Sequence, residues 1–160
     1  MPARQLIESL QLSPHPEGGW YRELYRSASQ VETPRGTRSA LTKIYYLLEP
    51  GQFSRWHVIE SDEIWHFYAG GTLELFAYDP ATQQHARHLL GNALDGKDSV
   101  AVIKAGDWQA ARVIEGFALV GCSVAPGFEF SEFRFVSALP DHTAHFDDSL
   151  APMAALATLL

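Results

Sequence analysis

The residues best suited to chemistry in this chain lie between Gly51 and Gly70. His57 falls in a strand-forming run, Ser54 to Ile59, and Glu63 opens the next run, Glu63 to Tyr68, after a short polar turn. Two antiparallel strands joined this way bring a histidine and a carboxylate onto one interior face. In apolar surroundings such a pair either moves protons or ligates a metal. Removing a proton next to a carbonyl needs a base near pKa 7 and a donor for the developing enolate. His57 is the expected base, and Glu63 the group that orients it or acts as the acid. Tyr21, Tyr45 or Tyr46 is the expected donor. The bland alternative is an interior histidine–glutamate pair that is merely satisfied. Nucleophilic chemistry has little support: Cys122 sits in an apolar run and Ser123 lacks the glycines of a nucleophile elbow.

The elements that must position these side chains are mostly strands. Leu6, Ile7 and Leu10 have helical spacing, and Ser13-Pro14 ends that short helix. About ten strand candidates follow. They are Tyr21 to Arg26, Leu41 to Leu48, the two runs above, Thr72 to Tyr78, His85 to Leu90, Val100 to Lys104, Gln109 to Val113, Phe117 to Val124 and Phe130 to Val136. Turn chemistry separates them, as at Thr33-Pro34-Arg35-Gly36, Glu49-Pro50-Gly51 and Gly70-Gly71. Short strands at regular spacing without a long helix predict a single all-β domain, a sandwich or closed barrel. In a barrel, Trp56, Trp65, Trp108, Phe117, Phe128 and Phe130 could line a ligand cavity, although each alone is more ordinarily core.

Charge and length narrow the function classes. At 160 residues with 46% apolar content the chain can build one ordinary core. A formal charge of −7 with no basic run argues against nucleic acid or anionic membrane as the partner. The single cysteine excludes an internal disulfide, no apolar run is long enough to span a bilayer, and the N-terminus has no signal-peptide pattern, so a cytoplasmic location is expected. The apolar end, SLAPMAALATLL, is expected to be a packed or partner-covered helix or a loose tail. His142 and His145, in the acidic stretch Asp141 to Asp148, are expected to be solvated.

Gly51, His57, Glu63 and Gly70 fall in register with the first motif of the cupin superfamily. Four further blocks carry the resemblance: His15-Pro16-Glu17-Gly18-Gly19-Trp20-Tyr21-Arg22-Glu23, Ser61 to Phe67, Gly106-Asp107-Trp108-Gln109-Ala110-Ala111 and Val124 to Phe128. Together they resemble the type-5 cupin branch, long described as a domain of unknown function. The resemblance runs from about Leu6 to Val136, leaving 137–160 as a C-terminal extension of one domain over 1–160. It implies a double-stranded β-helix, or jelly roll, similar in fold to dTDP-sugar 3,5-epimerases and to germin-like and seed-storage cupins. It also implies a homodimer paired through edge strands.

The resemblance implies a metal site of three histidines and a glutamate, and here the chain departs from it. Ile59 stands where the second histidine belongs, and the third would fall close to Phe117. Only His57 and Glu63 remain, so no cofactor is expected; a divalent metal, if bound, would rest on those two. His66 is the obvious recruit, yet alternation from Glu63 sends it to the opposite face unless a bulge re-aims it. It is carried as a candidate ligand contact, with Gln109, Trp65, Trp108, Tyr21 and Phe130. Glu17 and Arg22 flank the Gly18-Gly19 turn and are expected at a pocket rim or in a structural ion pair, the latter favoured for Arg22. The implied activity is that of an isomerase or epimerase acting without metal on a sugar-like carbonyl compound. The alternatives are a non-catalytic binding or storage module and a divalent-metal enzyme.

Overall fold

The computed structural model describes residues 3–146 and 156–160. A helix, α1 (Ala3–Ser9), leads into the strands β1 (Ser13–Pro14), β2 (Trp20–Arg26), β3 (Gln30–Thr33), β4 (Gly36–Ser39), β5 (Thr42–Leu48), β6 (Phe53–Val58), β7 (Asp62–Gly70), β8 (Leu73–Asp79), β9 (Gln84–Leu90), β10 (Val100–Ile103), β11 (Trp108–Val113), β12 (Ala118–Ala125) and β13 (Arg134–Phe135). They form a six-stranded sheet in the order β1-β2-β5-β12-β7-β10 and a five-stranded sheet in the order β13-β6-β11-β8-β9, with β3-β4 as a separate hairpin. All of these pairings are antiparallel, the arrangement of a jelly roll.

Alternation decides which residues meet. On β10, Val100 and Val102 are exposed while Ala101 and Ile103 are buried. Inward residues of both sheets, among them Tyr46, Trp65, Leu73, Leu75 and Val120, make the central core. Each large apolar side chain so buried contributes roughly 1.5–3 kcal/mol. A second cluster covers the outside of the five-stranded sheet, where Trp56, Phe76, Tyr78 and Trp108 pack with Val136, Leu156 and Leu159. A third lies beneath α1, where Leu6, Ile7 and Leu10 pack on Leu47 and Leu119.

The structure departs from the expectations in three places: an additional hairpin, an interrupted strand and the surroundings of His145. The stretch between the first two expected strands contains a hairpin of its own, β3 paired with β4 around Pro34 and Arg35. Phe130 to Val136 is not a continuous strand: a 3-10 turn (Phe130–Glu132), the two-residue β13 and another turn (Val136–Ala138) occupy it. Arg134 and Phe135 alone pair there as a strand, opposite Val58 and His57. At the C-terminus the described residues pack on their own chain: Leu156 and Leu159 are buried, and the Trp56 indole N–H donates to the Leu156 carbonyl at 3.2 Å. Residues 149–155 of the expected terminal segment, and Asp147 and Asp148, lie outside the described residues. His145 is not a solvated histidine: its Nδ1 shares a 2.8 Å hydrogen bond with the Tyr78 hydroxyl, and its ring stands edge-on to Trp108. No helix of the described residues is long and apolar enough to cross a membrane.

Candidate functional site

One end of the barrel holds a cavity of about 270 Å³ whose lining includes His15, Glu17, His57 and Glu63. The turn before β2 places the first two. Gly18 adopts φ +110° and Gly19 φ +72°; a Cβ on Gly18 would stand 2.2 Å from the Phe53 carbonyl oxygen and one on Gly19 2.6 Å from that of Leu47. Only glycine permits this approach. It lays the turn against β5 and β6, where the Arg55 N–H donates to the Glu17 carbonyl at 2.9 Å. Glu17 therefore points inward beside His57, two residues further along β6.

The tautomer of His57 follows from its neighbours. Its Nδ1 stands 2.7 Å from the Arg55 carbonyl oxygen, which can only accept, so Nδ1 carries the proton and Nε2 is the acceptor. Nε2 lies 3.1 Å from Glu17 Oε2. Burial pushes the Glu17 carboxyl up to about 8, against the Tyr46 and Ser54 hydroxyls that pull it back. Burial also holds His57 below the ordinary imidazole range, opposed by the Glu63 charge and the Arg55 carbonyl. At neutral pH the contact is thus a Glu17 O–H donating to Nε2 between two uncharged groups, not an ion pair. The imidazole stacks on Phe133 with ring centroids 5.0 Å apart.

Glu63 comes from the opposite sheet. Its Oε2 accepts from Gln109 Nε2 at 2.7 Å, and Gln109 Oε1 accepts from the Trp65 indole N–H at 3.0 Å. This relay crosses from β7 to β11, where Gln109 is paired with His57 of β6. Burial pushes Glu63 up to about 7; the His57 charge opposes the shift, Glu17 adds to it, and the Gln109 and Cys122 hydrogen bonds oppose it. Cys122, on β12 beside Trp65 of β7, is buried, and burial together with Glu63 raises its thiol well above the usual range.

His15 completes the floor. Its side chain is 5% exposed, and its Nδ1 accepts from the Glu17 backbone N–H at 3.2 Å, which puts the ring proton on Nε2. Burial, aided by His57, pushes His15 down to about 3, so the ring stays neutral. Its Nε2–H has no hydrogen-bond partner among the described residues, and His15 faces the cavity.

Of the residues singled out in the sequence, His57, Glu63, Tyr21 and Phe130 line the cavity, and Phe128 joins them. Gln109 and Trp65 are fully buried one layer behind Glu63. Trp108 does not reach the cavity: Gln109 points inward, so its neighbour on the strand points outward, against Tyr78 and Phe146. Trp56, adjacent to inward His57, is outside for the same reason, and Phe117 packs near α1. His66 also faces away. The bulge on the β7–β12 pair comes between Phe67 and Ala69, too late to turn it inward. The guanidinium of Arg22 lies over the outer ring of Tyr45, 5.9 Å from its centroid. His15 has no role in the sequence beyond its place in a resemblance block, and Glu17, expected at a pocket rim or in a structural ion pair, lines the cavity beside His57. The signal for Glu17 was the glycine pair that follows it.

The donor set does not complete a cupin metal centre. Ile59 lines the cavity where a second histidine would be needed, His57 Nε2 is engaged by Glu17, and among the described residues no group of three or more His, Cys, Asp or Glu is arranged to hold an ion.

Comparisons with known proteins agree with this fold. The family described as Cupin superfamily (DUF985) matches residues 4–136. A hypothetical protein from Leishmania major superposes with a TM-score of 0.79 at 32% identity, covering 91% of this chain and 96% of its own. A crystal structure from Shewanella oneidensis gives 0.80 at 32% identity, covering 96% of each chain. An uncharacterised protein of Saccharomyces cerevisiae is 29% identical over 154 residues, 83% of this chain and 74% of the yeast protein. The Lactobacillus farciminis oxalate decarboxylase, 20% identical with a TM-score of 0.58, shares the fold over 93% of this chain and 41% of its own.

Proposed function

We propose, on the premise that this chain belongs to the DUF985 family of the cupin superfamily, that its cavity carries out metal-independent acid/base chemistry of the isomerase or epimerase kind on a small polar carbonyl compound. One observation carries the reading: Glu63 and the Glu17–His57 pair line one cavity with the proton-holding tendencies of a base and an acid near neutral pH. Glu63, when ionised, takes the proton from the carbon next to the carbonyl. The C–H electron pair moves into the enolate, whose oxygen accepts from the His15 Nε2–H. A neutral imidazole is suited to this task because it donates without carrying charge. The Glu17–His57 pair holds one proton between Oε2 and Nε2 and returns it to carbon. Glu63 is then protonated and Glu17 ionised, and exchange with solvent restores both. Gln109 and Trp65 position the Glu63 carboxylate.

A homodimer is part of the same proposal, supported by the exposed Val100 and Val102 on edge strand β10. Sedimentation of the Val102→Lys protein tests it.

The test of the reaction is solvent-deuterium incorporation into a panel of small carbonyl compounds, followed by NMR for the native protein and for Glu63→Gln and His57→Asn. The proposal expects exchange in at least one compound that both substitutions abolish. Exchange at equal rates in native and variant proteins, or in none, would leave a binding module in its place.

A further inference from the structure

The cavity walls are aromatic, and one carboxyl in them, that of Glu63, has no cationic partner. Tyr21, Phe128, Phe130 and Phe133 line the cavity above His15: the His15 and Tyr21 rings lie 4.5 Å apart, Phe128 and Phe130 4.9 Å, and Tyr21 and Phe130 6.4 Å. Four glutamates line the same space with two arginines; Glu17 holds its proton against His57, and Glu23 and Glu129 are paired with Arg26, which leaves Glu63 without a cationic partner. Neither arginine is available to an anion. Arg22 belongs to the outer face, paired with Tyr45 across β2 and β5, and its Nη1 reaches Gln11 Oε1 at 3.4 Å. Arg26 is turned inward by the bulge between Glu23 and Tyr25, but four of its five N–H donors are taken. It donates to both Glu23 oxygens at 3.1 and 2.9 Å, to Glu129 at 3.0 Å and to the Phe128 carbonyl at 3.1 Å.

An anionic ligand would meet Glu63 on the floor with no free guanidinium to offset it. A cation would meet aromatic side chains and the Glu63 carboxylate, the combination that recognises ammonium groups. The cavity volume, about 270 Å³, is near the lower end of the range for small-ligand sites. The His15 Nε2–H on the cavity wall can donate to an oxygen on the same molecule.

We infer that the ligand is a small organic cation, an amine-bearing carbonyl compound whose ammonium group sits among Tyr21, Phe128, Phe130 and Phe133 and whose oxygen accepts from His15. The inference rests on the cavity being a ligand site and narrows the substrate class of the proposed reaction. A bound cation would also hold Glu63 in its ionised, basic form.

Calorimetric titration of the native protein with choline, with its uncharged isostere 3,3-dimethylbutan-1-ol and with 3,3-dimethylbutanoate tests the charge preference. Choline should bind about tenfold or more tightly than the isostere, and the anion should not compete. Phe130→Leu at the exposed rim should weaken choline several-fold and the isostere less, with the thermal midpoint of the variant confirming its fold. Equal or tighter binding of the isostere or the anion, or no binding of choline, would overturn the inference. Choline binding without deuterium exchange in any carbonyl compound would keep the cation site and remove the catalytic reading. Exchange confined to uncharged compounds would do the reverse.

Discussion

Two buried carboxylates in this molecule differ in their neighbours. Glu74, on β8, is 2% exposed and lies between two arginines: Arg112 donates to it at 2.6 Å and Arg87 donates to its other oxygen. Glu63, 7% exposed on the cavity floor, has no guanidinium partner and receives only the Gln109 amide and the Cys122 thiol. Glu132 follows the Glu74 pattern: burial pushes it up, but Arg38 and Arg35 outweigh burial and hold it below the ordinary range. A carboxylate compensated by arginine stays ionised and ties strands together. One left among neutral groups holds its proton to near neutral pH, which costs stability and makes proton transfer available.

The largest expected effect is at Glu63. Glu63→Gln should lower proton exchange by about 10²–10⁴-fold, the usual contribution of a positioned base, while the thermal midpoint stays or rises because a poorly solvated carboxyl is gone. Glu74→Gln should do the opposite, leaving exchange unchanged and lowering stability by about 1–2 kcal/mol. The loss is moderate because Arg87 and Arg112 are half-exposed and regain water. For a chain of this size each kcal/mol lowers the midpoint by roughly 2–4 °C. An exchange defect in Glu74→Gln, or an unfolded Glu63→Gln, would erase the distinction.

The pH dependence of stability sharpens the same contrast. Glu63 moves from 4.5 to about 7 and Glu17 from 4.5 to about 8 on folding, so above 4.5 the folded state binds more protons than the unfolded one. That contribution is lost as pH rises through the folded values. His15 moves from 6.5 to about 3, and His57 also moves downward, so their effect has the opposite sign and ends at 6.5. The two sets oppose each other between 4.5 and 6.5. Above 6.5 only the carboxyls act, and the thermal midpoint should fall toward pH 8. Glu63→Gln should flatten that fall and Glu74→Gln should not. Exchange should rise with pH through about 7 as Glu63 ionises and decline above about 8 as Glu17 loses its proton, with apparent values that belong to the coupled floor, since Glu63 faces Glu17, His57 and Cys122 and Glu17 faces His15 and Tyr46. The smallest expected effect is at His66, outside the cavity: His66→Ala should change exchange by less than about twofold.

Much of this architecture was legible in the sequence because strands alternate. Glu63 inward implies Trp65 inward and His66 outward, and the structure agrees. The same rule forbids Trp108 and Gln109 from sharing the cavity, a conflict that neighbouring positions on a strand always carry. The fold was legible because turn residues punctuate apolar runs; the hairpin of β3 and β4 was missed because its strands are mostly polar and mostly exposed. The partner of His57 was not legible, since Glu17 reaches it through a turn whose approach to β6 is a tertiary event. The Gly18-Gly19 pair marks a tight turn but not what the turn touches.

The account rests on two floor carboxyls keeping their protons into the neutral range. The direct measurement is a pH titration of glutamate side-chain carboxyl carbons by NMR in uniformly ¹³C-labelled protein, with Glu17→Gln and Glu63→Gln to assign the signals. The account predicts two glutamates titrating near 7 and 8, each absent from one variant. All glutamates titrating near or below the ordinary 4.5 would contradict it.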